Sequence, residues 1–361
     1  MSAANERVVP LSIKAAQTAL RAFSKTPQPV LKQLARNAPV NDAGDRLAPE
    51  IALALGAMNR LPGKDFIDVP VPQGRKMLET EALLFSDSFG PFAVEEDLFI
   101  PSGTGKIPAT RYRHRAEFSR GMVIYFHGGG WVLGNRVSHD SVARFFAIEA
   151  GVDVLLVDYR LAPEHPFPAA IDDALAAWDY AVEHAEHWGL SQNQLVIAGD
   201  SAGGNIAAVL AQVLKDREVQ PALQVLLFPV TDLSRTTASY EEFAEGYFLT
   251  AAQMQWYINH YLADPSDAKD PMASPLLADD VSGVAPAFVA VAGFDVLRDE
   301  GIEYAKKLKR AGVRTQLERE GDLIHAFINV TGVSPTARTA TKKIARAIRD
   351  ALVVPLRGAK D

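Results

Sequence analysis

Cysteine is absent from all 361 residues of the chain. That absence removes disulfides, thiolate nucleophiles and cysteine metal sites together, so any covalent chemistry falls to a hydroxyl, an amine or a carboxylate. An excess of positive charge is missing too: 37 Lys and Arg against 44 Asp and Glu leave a net charge of −7. Such a balance opposes adhesion to nucleic acid or to an anionic membrane, and neither is expected as a partner. No apolar run approaches the roughly 18 residues of a membrane span. At the N-terminus, Glu6 and Arg7 interrupt MSAANERVVP where a secretory signal would carry its apolar stretch. These absences predict a soluble chain with the cytoplasm as its place.

Hydrophobic residues make up 48% of the sequence and charged residues 22%, a balance suited to a large buried sheet in a water-soluble fold. The length fits one catalytic core with an accessory lid. Residues 1–85 mix the amphipathic patterns LSIKAAQTALRAF and IALALGAMNRL with joints at Pro27, Pro29, Pro39, Pro62, Pro70 and Pro72, and predict a helical, mobile cap segment. From Val94 onward EEDLFI, ATRYRH and GMVIYF are short apolar or alternating runs bounded by glycine and proline, as strands are. VDVLLVDY, LVIAG, LQVLLFPV, AFVAVAG and RTQLERE then alternate with helical patterns, which predicts an α/β fold with a mostly parallel sheet covered on both faces. The core is expected over 86–230 and 276–361. The intervening 231–275 holds the aromatic-rich EEFAEGYFLTAAQMQWYINHYL, too long for an ordinary connection and well placed to cover a site.

Gly199-Asp200-Ser201-Ala202-Gly203 fits G-x-S-x-G and sits where a strand gives way to a helix, the context in which a sharp turn lifts a serine hydroxyl out of the sheet. A bare helix N-cap at Ser201 is the plainer account, but the strand–turn–helix setting favours a nucleophile. Such a serine needs a histidine base held by a carboxylate. Of the 8 histidines, His184 and His187 read as a solvated helix face. His114, His139, His165 and His260 precede the last strand, in strand, helix-start, loop and cap settings. His325, in EGDLIHAFINV, follows that strand, as the order Ser, acid, His requires. Asp295, Asp299 and Glu300 compete for the acid. The last two are explained as an N-cap and a first-turn acid of the helix DEGIEYAKKLKRAG, which leaves Asp295. The triad is therefore predicted as Ser201, Asp295 and His325.

YFHGGGWVLG, at Tyr125 to Gly134, could cradle a phosphate or an oxyanion. As a dinucleotide site it would use Asp158 and Arg160 beyond the next strand, but Gly128, Gly130 and Gly134 are spaced one residue too long for that fingerprint. As an oxyanion loop it supplies Gly128 and Gly129, with Ala202 as the donor that follows the nucleophile. Ser266–Lys269 and SGTGK near Lys106 match catalytic motifs only in part and are set aside. Phe248, Trp256, Tyr257 and Tyr261 in the insertion suit either a cap core or a substrate pocket; Phe248, Trp256 and Tyr257 are the tentative substrate-binding set.

HGGGW, YRLAPEHPFPAA, GDSAGGN, DPMASPL and FDVLRDEG together resemble the hormone-sensitive-lipase-like carboxylesterases, the bacterial family IV esterases, from about Val94 to the C-terminus. The resemblance implies an α/β-hydrolase core, a cap made of the N-terminal segment and the insertion, no metal or organic cofactor, and hydrolysis of short- to medium-chain esters. It also implies that His127 braces the glycine loop and that the YRLAPE segment is structural. Two positions depart from the family: Val296 stands where proline is usual, and Ala326 where glycine is. A small-molecule receptor on the same fold is the alternative; plant gibberellin receptors resemble this family but lack the catalytic histidine, which this chain keeps at His325. A nucleotide-dependent oxidoreductase is the remoter one. A homodimer is expected, since two-fold dimers are the commonest oligomers.

Overall fold

A computed structural model describes residues 11–60 and 64–352. Glu6, Arg7 and the joint at Pro62 lie outside the described residues. Four helices come first: α1 (Leu11–Ser24), α2 (Gln28–Leu34), α3 (Pro49–Met58) and α4 (Val71–Phe85). Pro49 and Pro72 sit in the first turns of α3 and α4, where a missing N–H costs nothing and the fixed φ suits a helix start. The proline joints thus begin helices as well as separate them.

The core alternates β1 (Val94–Ser102), β2 (Gly105–Arg113), β3 (Met122–Phe126), α5 (Asp140–Glu149), β4 (Asp153–Val157), α6 (Ala169–His184), β5 (Leu195–Asp200), α7 (Ala202–Val213) and β6 (Leu223–Leu227). After α8 (Ala238–Glu242) and α9 (Ala251–Tyr261) come β7 (Ala287–Phe294), α10 (Arg298–Arg310), β8 (Thr315–Ile324) and α11 (Pro335–Ala351). The eight strands form one sheet in the order β1-β2-β4-β3-β5-β6-β7-β8. β1 and β2 run antiparallel, and every pairing from β4 through β8 is parallel. This is the mostly parallel α/β sheet that the alternating pattern predicts, in the form the family resemblance implies.

Every residue of β3 through β7 is buried, which is why these strands read as unbroken apolar runs rather than as alternation. β1, at the edge, leaves Glu95, Glu96 and Asp97 exposed and fully buries only Ile100. α6 packs on α7 and α11 on α5, covering the sheet from two sides. Caps fix the helix entries. Ser334 accepts from Ala337 N to start α11, and Thr250 exchanges bonds with Gln253 to start α9.

The N-terminal segment is clamped to the core at several points. Arg75 on α4 donates to the carbonyls of Val132 and Ala162 and pairs with Glu164 at 2.7 Å. Asn41 Nδ2 donates to Gly293 O at 3.1 Å, and Ser334 Oγ donates to Glu50 Oε1 at 2.9 Å. Phe66, just before α4, lies 5.3 Å from the Tyr257 ring and 5.5 Å from the Trp256 ring of α9. The N-terminal segment thus meets the insertion between β6 and β7 through these rings. No helix among the described residues is long and apolar enough to cross a membrane.

Candidate active site

The parallel strands deliver four loops to one edge, because their carboxyl ends all point the same way. The glycine loop leaves β3, Ser201 follows β5, Asp295 follows β7 and His325 follows β8. Ser201 has φ of 55° and ψ of −117°, outside the helix that starts at the next residue. A non-glycine residue held there is strained. Its backbone is fastened on both sides, Ser201 N donating to Leu227 O at 2.8 Å and Val230 N to Ser201 O at 3.3 Å.

His325 Nδ1 and Asp295 Oδ2 are 2.8 Å apart, both buried. Ala326 has φ of 60°, the left-handed region that the family's usual glycine takes freely. Phe228 meets the His325 ring edge-on at 4.8 Å. The Ser201 hydroxyl makes no hydrogen bond among the described residues, and His325 Nε2 has no protein partner there. Catalytic hydrogen bonds are often long in a free enzyme and tighten with substrate.

Asp295 does have a local duty, its Oδ1 accepting from Leu297 N at 2.9 Å. Leu297, not Asp299, is the N-cap of α10. Asp299 accepts from Ser239 N and from Arg298 Nε. Glu300 is fully buried, accepts from Thr231 N and Asp232 N, and is pushed up to about 8, chiefly by burial. Both competitors do sit in the first turn of α10, as expected of Glu300, and both are also engaged in tertiary contacts.

Gly128 N–H, expected as an oxyanion donor, donates to Asp200 Oδ1 at 3.0 Å and so is engaged inside the loop. The N–H groups of Gly129, Gly130 and Ala202 have no acceptor among the described residues. Gly130 has φ of 60° and a Cβ there would run into the Tyr257 ring, so the loop and α9 approach as closely as they do only with glycine at this position.

His127 does brace the loop. Its Nδ1 lies 2.8 Å from Gly128 O, its ring stacks on Tyr159 at 4.3 Å, and Tyr159 OH donates to His127 O at 2.7 Å. Burial, and then the neighbouring His139, lower His127 to about 4, so it stands neutral with Nδ1–H donating to the carbonyl. Arg160 pairs with the buried Asp173 at 2.8 Å, and Asp158 binds Arg136 at 2.8 Å; both residues of the imagined dinucleotide site are occupied within the protein.

Tyr257 is buried against Gly130 and Phe66, Trp256 lies 4.2 Å from the His260 ring, and Phe248 is half-buried on the core with φ of 80°. Of the tentative pocket residues, Tyr257 borders the glycine loop. Beside it Glu81 is pushed up to about 7 by burial and then by Asp65. No group of three or more His, Asp or Glu among the described residues is arranged to hold a metal.

Residues missed in the sequence are His139 and Asp200. His139 Nε2 lies 3.3 Å from Asp200 Oδ2, and its Nδ1 is 2.9 Å from Ser138 Oγ. Asp200 was read as the unspecified position of G-x-S-x-G. His139 does carry a signal: with Ala143 and Phe146 it falls at i, i+4 and i+7, on the buried face of α5.

A family model described as alpha/beta hydrolase fold matches residues 123–329. The chain is 43% identical over 260 residues to carboxylic ester hydrolase LipN of Mycobacterium tuberculosis, across 70% of this chain and 69% of that one. It is 37% identical over 284 residues to an ethyl acetate hydrolase of Pseudomonas putida, across 77% of this chain and 89% of the other. A crystallised hyperthermophilic esterase from the archaeon Pyrobaculum calidifontis superposes with a TM-score of 0.80 at 38% identity, covering 85% of this chain and 99% of its own.

Proposed function

The chain belongs to the α/β-hydrolase fold family, among the hormone-sensitive-lipase-like carboxylic ester hydrolases, and from that premise we propose that Ser201, His325 and Asp295 cleave short- to medium-chain esters through an acyl-enzyme. The observation that carries the reading is the 2.8 Å bond between His325 Nδ1 and Asp295 Oδ2, with the His325 ring against Phe228, next to the Leu227 carbonyl to which the Ser201 turn is tied. Asp295 fixes the tautomer that leaves His325 Nε2 as a base. Ser201 Oγ attacks the ester carbonyl as His325 takes its proton, and the imidazolium, stabilised by Asp295, returns that proton to the departing alkoxide. Water, deprotonated by the same base, then releases the acid and restores Ser201.

The developing oxyanion is received by the N–H groups of Gly129, Gly130 and Ala202, none of which has an acceptor among the described residues. Preorganised donors of this kind are worth about 10²- to 10³-fold each in turnover. Tyr257 bounds the acyl or alcohol side of the site. The name of the Pseudomonas relative, an ethyl acetate hydrolase, favours small esters. A homodimer and a cytoplasmic location belong to the same proposal; β8 ends the sheet with an edge that a second copy can extend.

Ser201→Ala is expected to abolish turnover of p-nitrophenyl acetate and butyrate, and a p-nitrophenyl alkylphosphonate to label the wild-type protein once, at Ser201. Near wild-type turnover in Ser201→Ala would refute the assignment. Tight ligand binding without labelling would favour the receptor reading instead.

A further inference from the structure

The oxyanion hole proposed above is assembled from two separate stretches of chain. Gly129 and Gly130 belong to the loop after β3, whereas Ala202 belongs to the turn after β5. The donors act together only if the two stretches keep their register. β3 and β5 are paired, Phe126 opposite Gly199, but that pairing stops at the strand ends, before any of the donors.

Beyond the last rung, the Asp200 carboxylate is the direct tie between the two stretches. Its backbone is part of the serine turn. Its Oδ1 accepts from Gly128 N at 3.0 Å and from Tyr125 OH at 2.8 Å, and its Oδ2 faces His139 Nε2 at 3.3 Å. Asp200 is only 2% exposed. Burial opposes its charge, yet His139 and the hydrogen bonds from His139 and Tyr125 hold the carboxyl below its ordinary range. A carboxylate that accepts from three donors is fixed in orientation as well as in charge.

The geometry points to Asp200 and His139 as positioning residues for ester hydrolysis: Asp200 turns the Gly128 peptide so that the next two N–H groups face the substrate carbonyl, and His139 holds Asp200 in that orientation. The inference rests on the Ser201 mechanism and adds what aligns its electrophilic side. Ser138 Oγ lies 2.9 Å from both His139 Nδ1 and Asn135 O and has one proton for the two; with the His139 Nε2–H donated to Asp200, that proton goes to Nδ1, and Asn135 O keeps the bond from His139 N at 3.2 Å. Neither residue touches the reacting atoms, so they affect turnover through the loop alone.

The test compares Asp200→Ala with Asp200→Asn. Alanine removes the tie. Asparagine keeps an acceptor for Gly128 N and Tyr125 OH, and its amide donates to His139 once that ring moves its proton to Nδ1, where Ser138 Oγ accepts. For p-nitrophenyl butyrate, Asp200→Ala is expected to lower kcat by about 10²-fold, the scale of one lost oxyanion donor, with KM within about twofold. Affinity for a trifluoromethyl ketone analogue should fall in parallel with kcat/KM. Asp200→Asn should recover kcat to within about tenfold of wild type, with the ¹⁵N signals of His139 showing the tautomer exchanged. Should Asp200→Ala not fold, Gly128→Ala replaces it, since the added Cβ would press on Asp200 Oδ2.

Unchanged kcat in Asp200→Ala or Gly128→Ala would overturn the inference, as would a loss confined to KM or an Asp200→Asn enzyme as slow as the alanine variant. Activity surviving in Ser201→Ala would instead remove the mechanism on which it stands, so the two failures are separable.

Discussion

Asp295 and Asp200 each hold a buried histidine, at 2.8 Å and 3.3 Å respectively, near the same edge of the sheet, and each histidine has a serine in its vicinity. Beyond that the two groups are bonded in opposite ways. At His139 both ring nitrogens are engaged, one by Asp200 and one by Ser138, and Ser138 Oγ also accepts from Asn135 N at 2.9 Å. At His325, among the described residues, only Nδ1 is engaged; Nε2 is open, and the hydroxyl of Ser201, whose turn is tied to Leu227 next to the Phe228 ring that meets His325, is unbonded. Identical residue types thus give a closed, supporting network in one place and a group able to accept a proton in the other. What separates them is whether the histidine's last nitrogen already has a partner.

The largest expected effect breaks the open group at its acid. Asp295→Asn leaves the side-chain shape in place but allows its amide to face His325 Nδ1, which turns the imidazole to the wrong tautomer. A fall in kcat of about 10⁴-fold is expected, the scale seen when a triad aspartate is so replaced. Thermal unfolding of the purified variant should stay close to wild type, and a loss below about tenfold would mean that Asp295 does not orient the base. The same change at Asp200 is expected to be far milder, because there the histidine can exchange its tautomer with Ser138 and lose no bond.

A smaller effect should come from thinning the closed network. Tyr125→Phe removes one of the donors to Asp200 and nothing else, the ring being fully buried in β3. A hydrogen bond to a charged group is worth about 1.5–3 kcal/mol, so the urea midpoint should drop accordingly while kcat falls no more than about fivefold. A kcat loss larger than that of Asp200→Ala would show that Tyr125 acts on the site by another route.

The contrast also shows which parts were legible in the sequence. All eight strands answer to short runs bounded by glycine or proline, since five of them are buried on both faces and admit hardly anything but apolar residues. α2 and α4 were not separately read: VPQGRKMLETEALLF mixes charge along most of its length because much of its surface clamps onto loop carbonyls and carboxylates rather than onto a core. Ser201 and His325 were legible because strand–turn–helix context and chain order are one-dimensional. Which of three adjacent glycines has its N–H engaged was not, because the residues are identical and the Gly128 N–H is taken by Asp200 reaching across from another strand. His139 was passed over for a related reason. The search was for a histidine after the last strand, and a histidine that serves by being fully bonded has no place in that order.

His127 extends the comparison to a third bonding state and gives the smallest effect. It is buried, with Nδ1 on Gly128 O and no partner for Nε2. Its folded value near 4 lies below the ordinary 6.5, through burial first and then His139. Between those two values the unfolded chain binds a proton that the folded chain refuses. The contribution to stability is therefore present in full above pH 6.5 and is lost as pH falls toward 4, by at most about 1.4 kcal/mol per pH unit. His127→Gln cannot titrate and keeps an amide able to donate to Gly128 O, so its urea midpoint should decline less steeply than that of wild type across this window, and the two curves should run parallel above it. Parallel curves throughout would mean that His127 is protonated in the fold, in which case its ring could not sit beside His139 as a neutral brace and the glycine loop would need another support.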